Sequence, residues 1–241
     1  MNGEMRDPAV EALATDPRAK VTIFIDGQNL YKTCRSTFGH PLCHPHLLAR
    51  HLAGPRDLVG CRFYTGHPNP NSDPVRSRNL DRRLSLMRGH GVTVVTRMLR
   101  YHWDWGWRGD DSALPSPGPD VPPRQVMLRP WLRPQEKGID VTIALDVVEH
   151  LLTEQCDVAI IVSFDRDLYE IPQTIENLNP VIARPVRLEA AVPVRDGGGS
   201  FTTLPKFSYT HQINRRVFER VRDNTDYTVS NAMWAARRSR L

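Results

Sequence analysis

Val21-Thr22-Ile23-Phe24-Ile25 is an unbroken run of β-branched and aromatic residues that stops at an acid, Asp26. A run with no polar alternation fits a strand covered on both faces, the environment of an inner strand in a parallel sheet. The pattern returns at Ala159-Ile160-Ile161-Val162-Ser163, followed by Phe164-Asp165-Arg166-Asp167, while Lys137-Gly138-Ile139-Asp140 opens an apolar helix with an acid in its first turn. A strand that ends on an acid sets it at the carboxyl edge of the sheet, where open α/β folds keep their ligands. Three such edges are expected to converge on one point.

A chain of 241 residues buries its own core without staples. The four cysteines, Cys34, Cys43, Cys61 and Cys156, show no paired spacing, and Met1 to Lys20 is polar and broken by Pro8 and Pro17, unlike a signal peptide. The expectation is a reducing, cytoplasmic location with no membrane span. A net charge of +5, carried mostly by arginine, suits a polyanionic partner, although an arginine-rich composition also follows from a GC-rich genome.

The alternation of elements predicts a parallel sheet flanked by helices in three layers. Residues 1–19 read as a flexible extension with a short helix at most. The domain runs over 20–187, with strands at Val21 to Ile25, Leu58 to Tyr64, Val92 to Met98, Asp157 to Ser163 and Val181 to Val186. Helices fit Asn29 to Thr37, His44 to Leu52, the stretch capped by Asp73-Pro74, Ile139 to Leu152 and Ile171 to Leu178. Residues 101–136, with Trp103, Trp105, Trp107 and a proline-dominated stretch, read as an insertion or mobile loop. Residues 188–241 read as an irregular extension with a helix near Ile213 to Val221.

On a helical wheel Asp140, Ala144, Val147 and Leu151 share the buried face, so Asp140 needs a cation or several donors. Asp146 falls on the polar side with Thr142 and Glu149 and reads as structural. Asp165 and Asp167 share a face if their backbone stays extended. Carboxylates gathered this closely call for a counter-charge, and Mg²⁺ or Mn²⁺ prefer hard oxygen ligands. Such a site suits phosphodiester hydrolysis. Asn29 and Ser163 are placed to position water or phosphate, and Lys137 to pair with an acid or a phosphate.

These segments, Phe24-Ile25-Asp26-Gly27-Gln28-Asn29, Lys137-Gly138-Ile139-Asp140-Val141 with Asp146, and Ser163-Phe164-Asp165-Arg166-Asp167-Leu168, resemble in order and spacing the NYN family. These are PIN-like ribonuclease domains that include the LabA-like bacterial proteins. The resemblance covers roughly residues 20 to 187. It implies a Rossmann-like sheet and metal-dependent nuclease activity, with Asp26, Asp140, Asp165 and Asp167 as metal ligands, Asn29 beside them and Asp146 in a secondary place. The family's usual Ser-Gly-Asp-x-Asp-Phe differs here at two positions, where Phe164 replaces glycine and Leu168 replaces phenylalanine. A bulky Phe164 is expected either to narrow the site or to force its loop onto another path.

RNA is the expected substrate, and a homodimer is left open. Arg82, Arg83, Arg97, Arg100, Trp103 and Trp105 are the candidate nucleic-acid contacts, against the alternative that the tryptophans pack on the domain. A non-catalytic module that binds nucleic acid or protein, and a phosphatase or phosphotransferase on small nucleotides, are the rival functions.

Overall fold

Every residue of β1 (Lys20–Asp26) after Lys20 is buried. Val21, Ile23 and Ile25 enter one apolar core and Phe24 enters a second, so this strand lies between two packed layers. The computed structural model describes residues 7–106, 129–197, 204 and 206–227, with backbone only at 104–106 and 129–132. Within them β1, β2 (Asp57–His67), β3 (Thr93–Met98), β6 (Val158–Val162), β7 (Arg187–Pro193) and β8 (Tyr209–Ile213) form one sheet in the order β3-β2-β1-β6-β7-β8. All five pairings are parallel. This is the expected three-layer α/β architecture.

The first face of the sheet is covered by α2 (Gly27–Phe38), α3 (Pro45–Ala53), α4 (Pro74–Gly89) and α7 (Arg215–Val221). Asp73 accepts a hydrogen bond from the Arg76 N–H at 3.1 Å and Pro74 occupies the first turn, the expected start of α4. The second face is covered by α5 (Ile139–Leu152) and α6 (Ile171–Ile182). No helix among the described residues is long and apolar enough to cross a membrane.

Within residues 1–19, α1 (Pro8–Ala12) is a short helix, as the sequence allows, and its Glu11 reaches Arg187 at 3.2 Å. Three segments differ from the sequence reading. The ends of the 101–136 segment are not loop: β4 (Arg100–Gly106) and β5 (Arg129–Gln135) pair as an antiparallel hairpin, while Trp107 and the proline stretch lie outside the described residues. Val181 to Val186 is not a strand, because α6 continues through Pro180 to Ile182 and ends at Ala183 in a left-handed conformation, φ 51°. The strand begins instead at Arg187. Residue 187, read as the end of the domain, therefore opens β7, and the sheet runs on through β8.

The charges of β7 hid it. Arg187 and Glu189 interrupt the apolar pattern of a buried strand, yet both are buried, because Glu189 meets Arg56 at 3.0 and 3.1 Å, Arg187 at 2.6 Å and His211 at 2.7 Å. A buried carboxylate with that many donors is fully compensated.

Gly27 joins the sheet to the first helix. A Cβ there would strike the Phe63 ring and lie 2.7 Å from the Tyr64 carbonyl oxygen. Alanine in a helix is otherwise favoured over glycine by about 1 kcal/mol. Gly27→Ala is nevertheless expected to lower stability by about 1–3 kcal/mol, the typical cost of overpacking. Urea denaturation measures it; an unchanged or higher midpoint would show that the contact of α2 with β2 is loose.

Candidate metal centre at the sheet switch point

From β1 the chain moves outward through β2 and β3; from β6 it moves the other way through β7 and β8. The carboxyl ends of β1 and β6 therefore flank the crevice where chain direction reverses, the usual ligand site of such sheets. Asp26 is the last residue of β1, and Ser163 to Asp165 follow directly after β6. The third contributor comes from α5. Gly138, at φ 78°, makes the left-handed turn into that helix and sets Asp140 in its first turn.

One carboxylate oxygen each from Asp26, Asp140 and Asp165 lies within 4.8 Å of the other two. Asp26 is only 4 % exposed. It accepts hydrogen bonds from the Asn29 N–H at 2.9 Å, which caps α2, and from the Ser163 hydroxyl at 3.2 Å. Ser163 in turn accepts from the Asp165 N–H at 3.1 Å, and the Asn29 side-chain oxygen accepts from the Phe164 N–H at 2.9 Å. Asn29 and Ser163 thus link the β1 edge to the β6 loop.

The cleft, of about 210 Å³, also takes in Gln28, Lys32 and Glu136. Burial pushes the Asp26 carboxyl up to about 6, reinforced by the charges of Asp140 and Asp165 against the Asn29 and Ser163 hydrogen bonds. Burial, then the charge of Asp26, pushes Glu136 up to about 7, against a hydrogen bond from the Gly66 N–H and the charge of Lys32. Asp140 is raised by burial and by Asp165. Asp26, Glu136 and Asp140 thus resist ionising side by side.

Several expected residues lie elsewhere. After Asp165 the chain turns into a 3₁₀ segment, Arg166–Glu170, instead of staying extended; Asp165 caps it by accepting from the Asp167 N–H at 3.2 Å, and Asp167 faces solvent outside the trio. Lys137 is exposed and does not line the cleft, where Lys32 stands instead. Asp146 accepts from Arg62 and from the Tyr64 hydroxyl, each at 2.7 Å, a structural pairing on the sheet face. The buried face of α5 is centred on Ile139, Ile143 and Val147, so Asp140 sits half-buried at its edge and not on its axis.

The basic residues divide in the same way. Arg83 lies 5.6 Å over the Phe63 ring, half-buried, with burial lowering its affinity for the proton, so it is packing and not a surface contact. Arg82 and Arg100 are exposed, and the Arg97 side chain donates to Thr142 at 2.9 Å beside Gly138. Trp103 is 67 % exposed and does not pack on the domain; the side chain of Trp105 lies outside the described residues. Sequence reasoning missed Glu136, Gln28 and Lys32. Glu136 directly precedes the Lys137-Gly138-Ile139-Asp140 motif, and its assignment to a loop concealed it.

The raised carboxylates make the site costly without a cation. Asp26 binds its proton more tightly folded, at about 6, than at the ordinary 3.8. The cost is therefore absent below about pH 4, grows as pH rises through 6, and is complete above it. Asp26→Asn is expected to stabilise the chelator-treated protein by about 1–3 kcal/mol at pH 8, with the gain vanishing near pH 4. Urea titrations at the two pH values check this. Destabilisation at pH 8 would mean the charged carboxylate is well solvated.

Comparison with curated proteins gives no match. Among solved structures, a Vibrio parahaemolyticus protein of unknown function superposes with a TM-score of 0.51 at 18 % identity, covering 83 % of this chain and 96 % of that one, a likeness of fold alone. The sequence itself matches the NYN domain over residues 20–179, and the chain belongs to the NYN domain family, whose fold is PIN-like.

Proposed function

We propose that this protein is a metal-dependent nuclease that hydrolyses phosphodiester bonds, with RNA as its substrate. NYN domains are generally nucleases, and an acidic cluster is present here. The observation that carries the reading is the convergence of Asp26, Asp140 and Asp165 at the sheet switch point, with ligand oxygens within 4.8 Å.

The donor set fits a hard divalent cation, Mg²⁺ or Mn²⁺, since every candidate ligand atom is a carboxylate oxygen. A buried Glu136 oxygen has no hydrogen-bond partner and supports the same fit. Asp26, Asp140 and Asp165 would hold the ion and Glu136 would join them, with Asp167 on the outer side. When bound, such an ion acidifies water and neutralises charge developing on the phosphate. The chain's own groups do the rest. Asn29 and Ser163 lock the Asp26 and Asp165 loops in register, and Lys32, hydrogen-bonded to Gln28 at 3.1 Å, brings a positive charge to the cleft for a phosphate oxygen. Arg97, Arg100 and Trp103 extend a basic and aromatic surface from β3 and β4, suited to a single strand.

Asp140→Asn is expected to reduce cleavage of labelled single-stranded RNA at least about a hundredfold in Mg²⁺ or Mn²⁺, with an unchanged circular dichroism spectrum, while chelator abolishes wild-type turnover. Binding without cleavage under every metal condition would replace the nuclease with a non-catalytic binding module. Glu136→Gln is expected to weaken Mn²⁺ binding about tenfold or more by calorimetry, the scale at which supporting groups act on metal sites. Unchanged affinity would place Glu136 outside the metal's reach.

A further inference from the structure

The outward side of α5 carries a second apolar stripe. Val141, Leu145, Val148 and Leu152 follow one another at spacings of four, three and four residues, so at about 100° per residue they fall within one narrow arc. That arc lies opposite the core-facing side marked by Ile139, Ile143 and His150. Val141 is 61 %, Leu145 64 % and Leu152 37 % exposed, and Val148 is half-buried. Single apolar residues scattered on a surface need no explanation, but no other described helix exposes more than two large apolar side chains. The stripe does not serve the sheet, because the opposite side of α5 already fills that role.

A four-three-four spacing is that of the seam between two paired helices, whose contact positions recur alternately every three and four residues. We infer that the stripe is a self-association surface on which α5 pairs antiparallel with α5 of a second copy of this chain. About a two-fold axis between Leu145 and Val148, Val141 meets Leu152 and Leu145 meets Val148, so every layer is apolar on apolar. The charges set the direction. The start of α5 is flanked by exposed Lys137 and by exposed Arg97, which donates to Thr142, and its far end carries exposed Glu149 and Glu154. Antiparallel pairing sets each basic end against the other copy's acidic end, whereas parallel pairing sets like against like. The two helix dipoles then also oppose each other. The seam begins one residue after Asp140, so the two acidic clefts lie about 20 Å apart along the paired helices, at about 1.5 Å per residue. This inference stands apart from the nuclease reading, and neither fails with the other.

Analytical ultracentrifugation of the full chain tests it. Wild type is expected at twice the chain mass of 27.5 kDa, and Leu145→Arg at the single mass with an unchanged melting temperature, since that side chain is mostly exposed. Direction is read by cross-linking, for which the four native cysteines are buried. Val141→Cys mixed with Leu152→Cys is expected to give a disulfide-linked dimer under mild oxidation with diamide, and neither variant alone is expected to link. A wild-type monomer at about 100 μM would overturn the inference and leave the stripe to a different protein. A dimer indifferent to Leu145→Arg would place the interface elsewhere and overturn it too. Linking by Val141→Cys or Leu152→Cys alone would overturn the antiparallel arrangement.

Discussion

The site depends on one buried carboxylate held by short hydrogen bonds. Asp26 ends β1, caps α2 through the Asn29 N–H, and accepts from Ser163 across the junction with β6. Each contact ties a different part of the fold to the same two oxygens. The cap decides where α2 begins, α2 presents Asn29, and Asn29 fixes the Phe164 backbone. An interaction that in another protein would only terminate a helix here sets the separation of two sheet edges.

That arrangement has an electrostatic cost which the sheet topology makes unavoidable. Parallel strands bring Asp26 and Asp165 side by side because β1 and β6 pair in register, Ile25 opposite Val162, and α5 returns over the same edge with Asp140. Separating the acids would require breaking either the register or the left-handed turn at Gly138. The surrounding chain offers few donors, so the charge is relieved by protons or by a cation from solution.

Much of this was legible in the sequence where local pattern and tertiary role agree. Asp26 and Asp165 follow apolar runs too continuous to be half-exposed strands, and Asp140 opens a strongly apolar helix, so the trio could be named without coordinates. Asp167 could not be placed, since its position depends on whether the chain after Asp165 extends or turns, and the 3₁₀ segment moves it out. Glu136 was hidden because a hairpin with tryptophans and prolines reads as loop, although its second strand delivers Glu136 to the cleft. Arg83 looked like a phosphate contact, and only the position of Phe63 shows it to be packing. In β7, the charges of Arg187 and Glu189 hid a fully buried strand.

The same chain contains the contrast that separates a structural acid from a poised one. Glu189 and Asp26 are almost equally buried, at 2 % and 4 % exposure. Burial raises both, but hydrogen bonds from His211, Arg56 and Arg187 pull Glu189 down to about 2, whereas Asp26, with one backbone N–H and one hydroxyl against neighbouring acids, rises to about 6. Desolvation is therefore not what distinguishes them; the sign of the surrounding charge is. Where the fold needs a permanent anion it supplies two arginines and a histidine. At the switch point it supplies further acids and a single lysine, a composition that stabilises the folded chain only when a cation or protons arrive from outside.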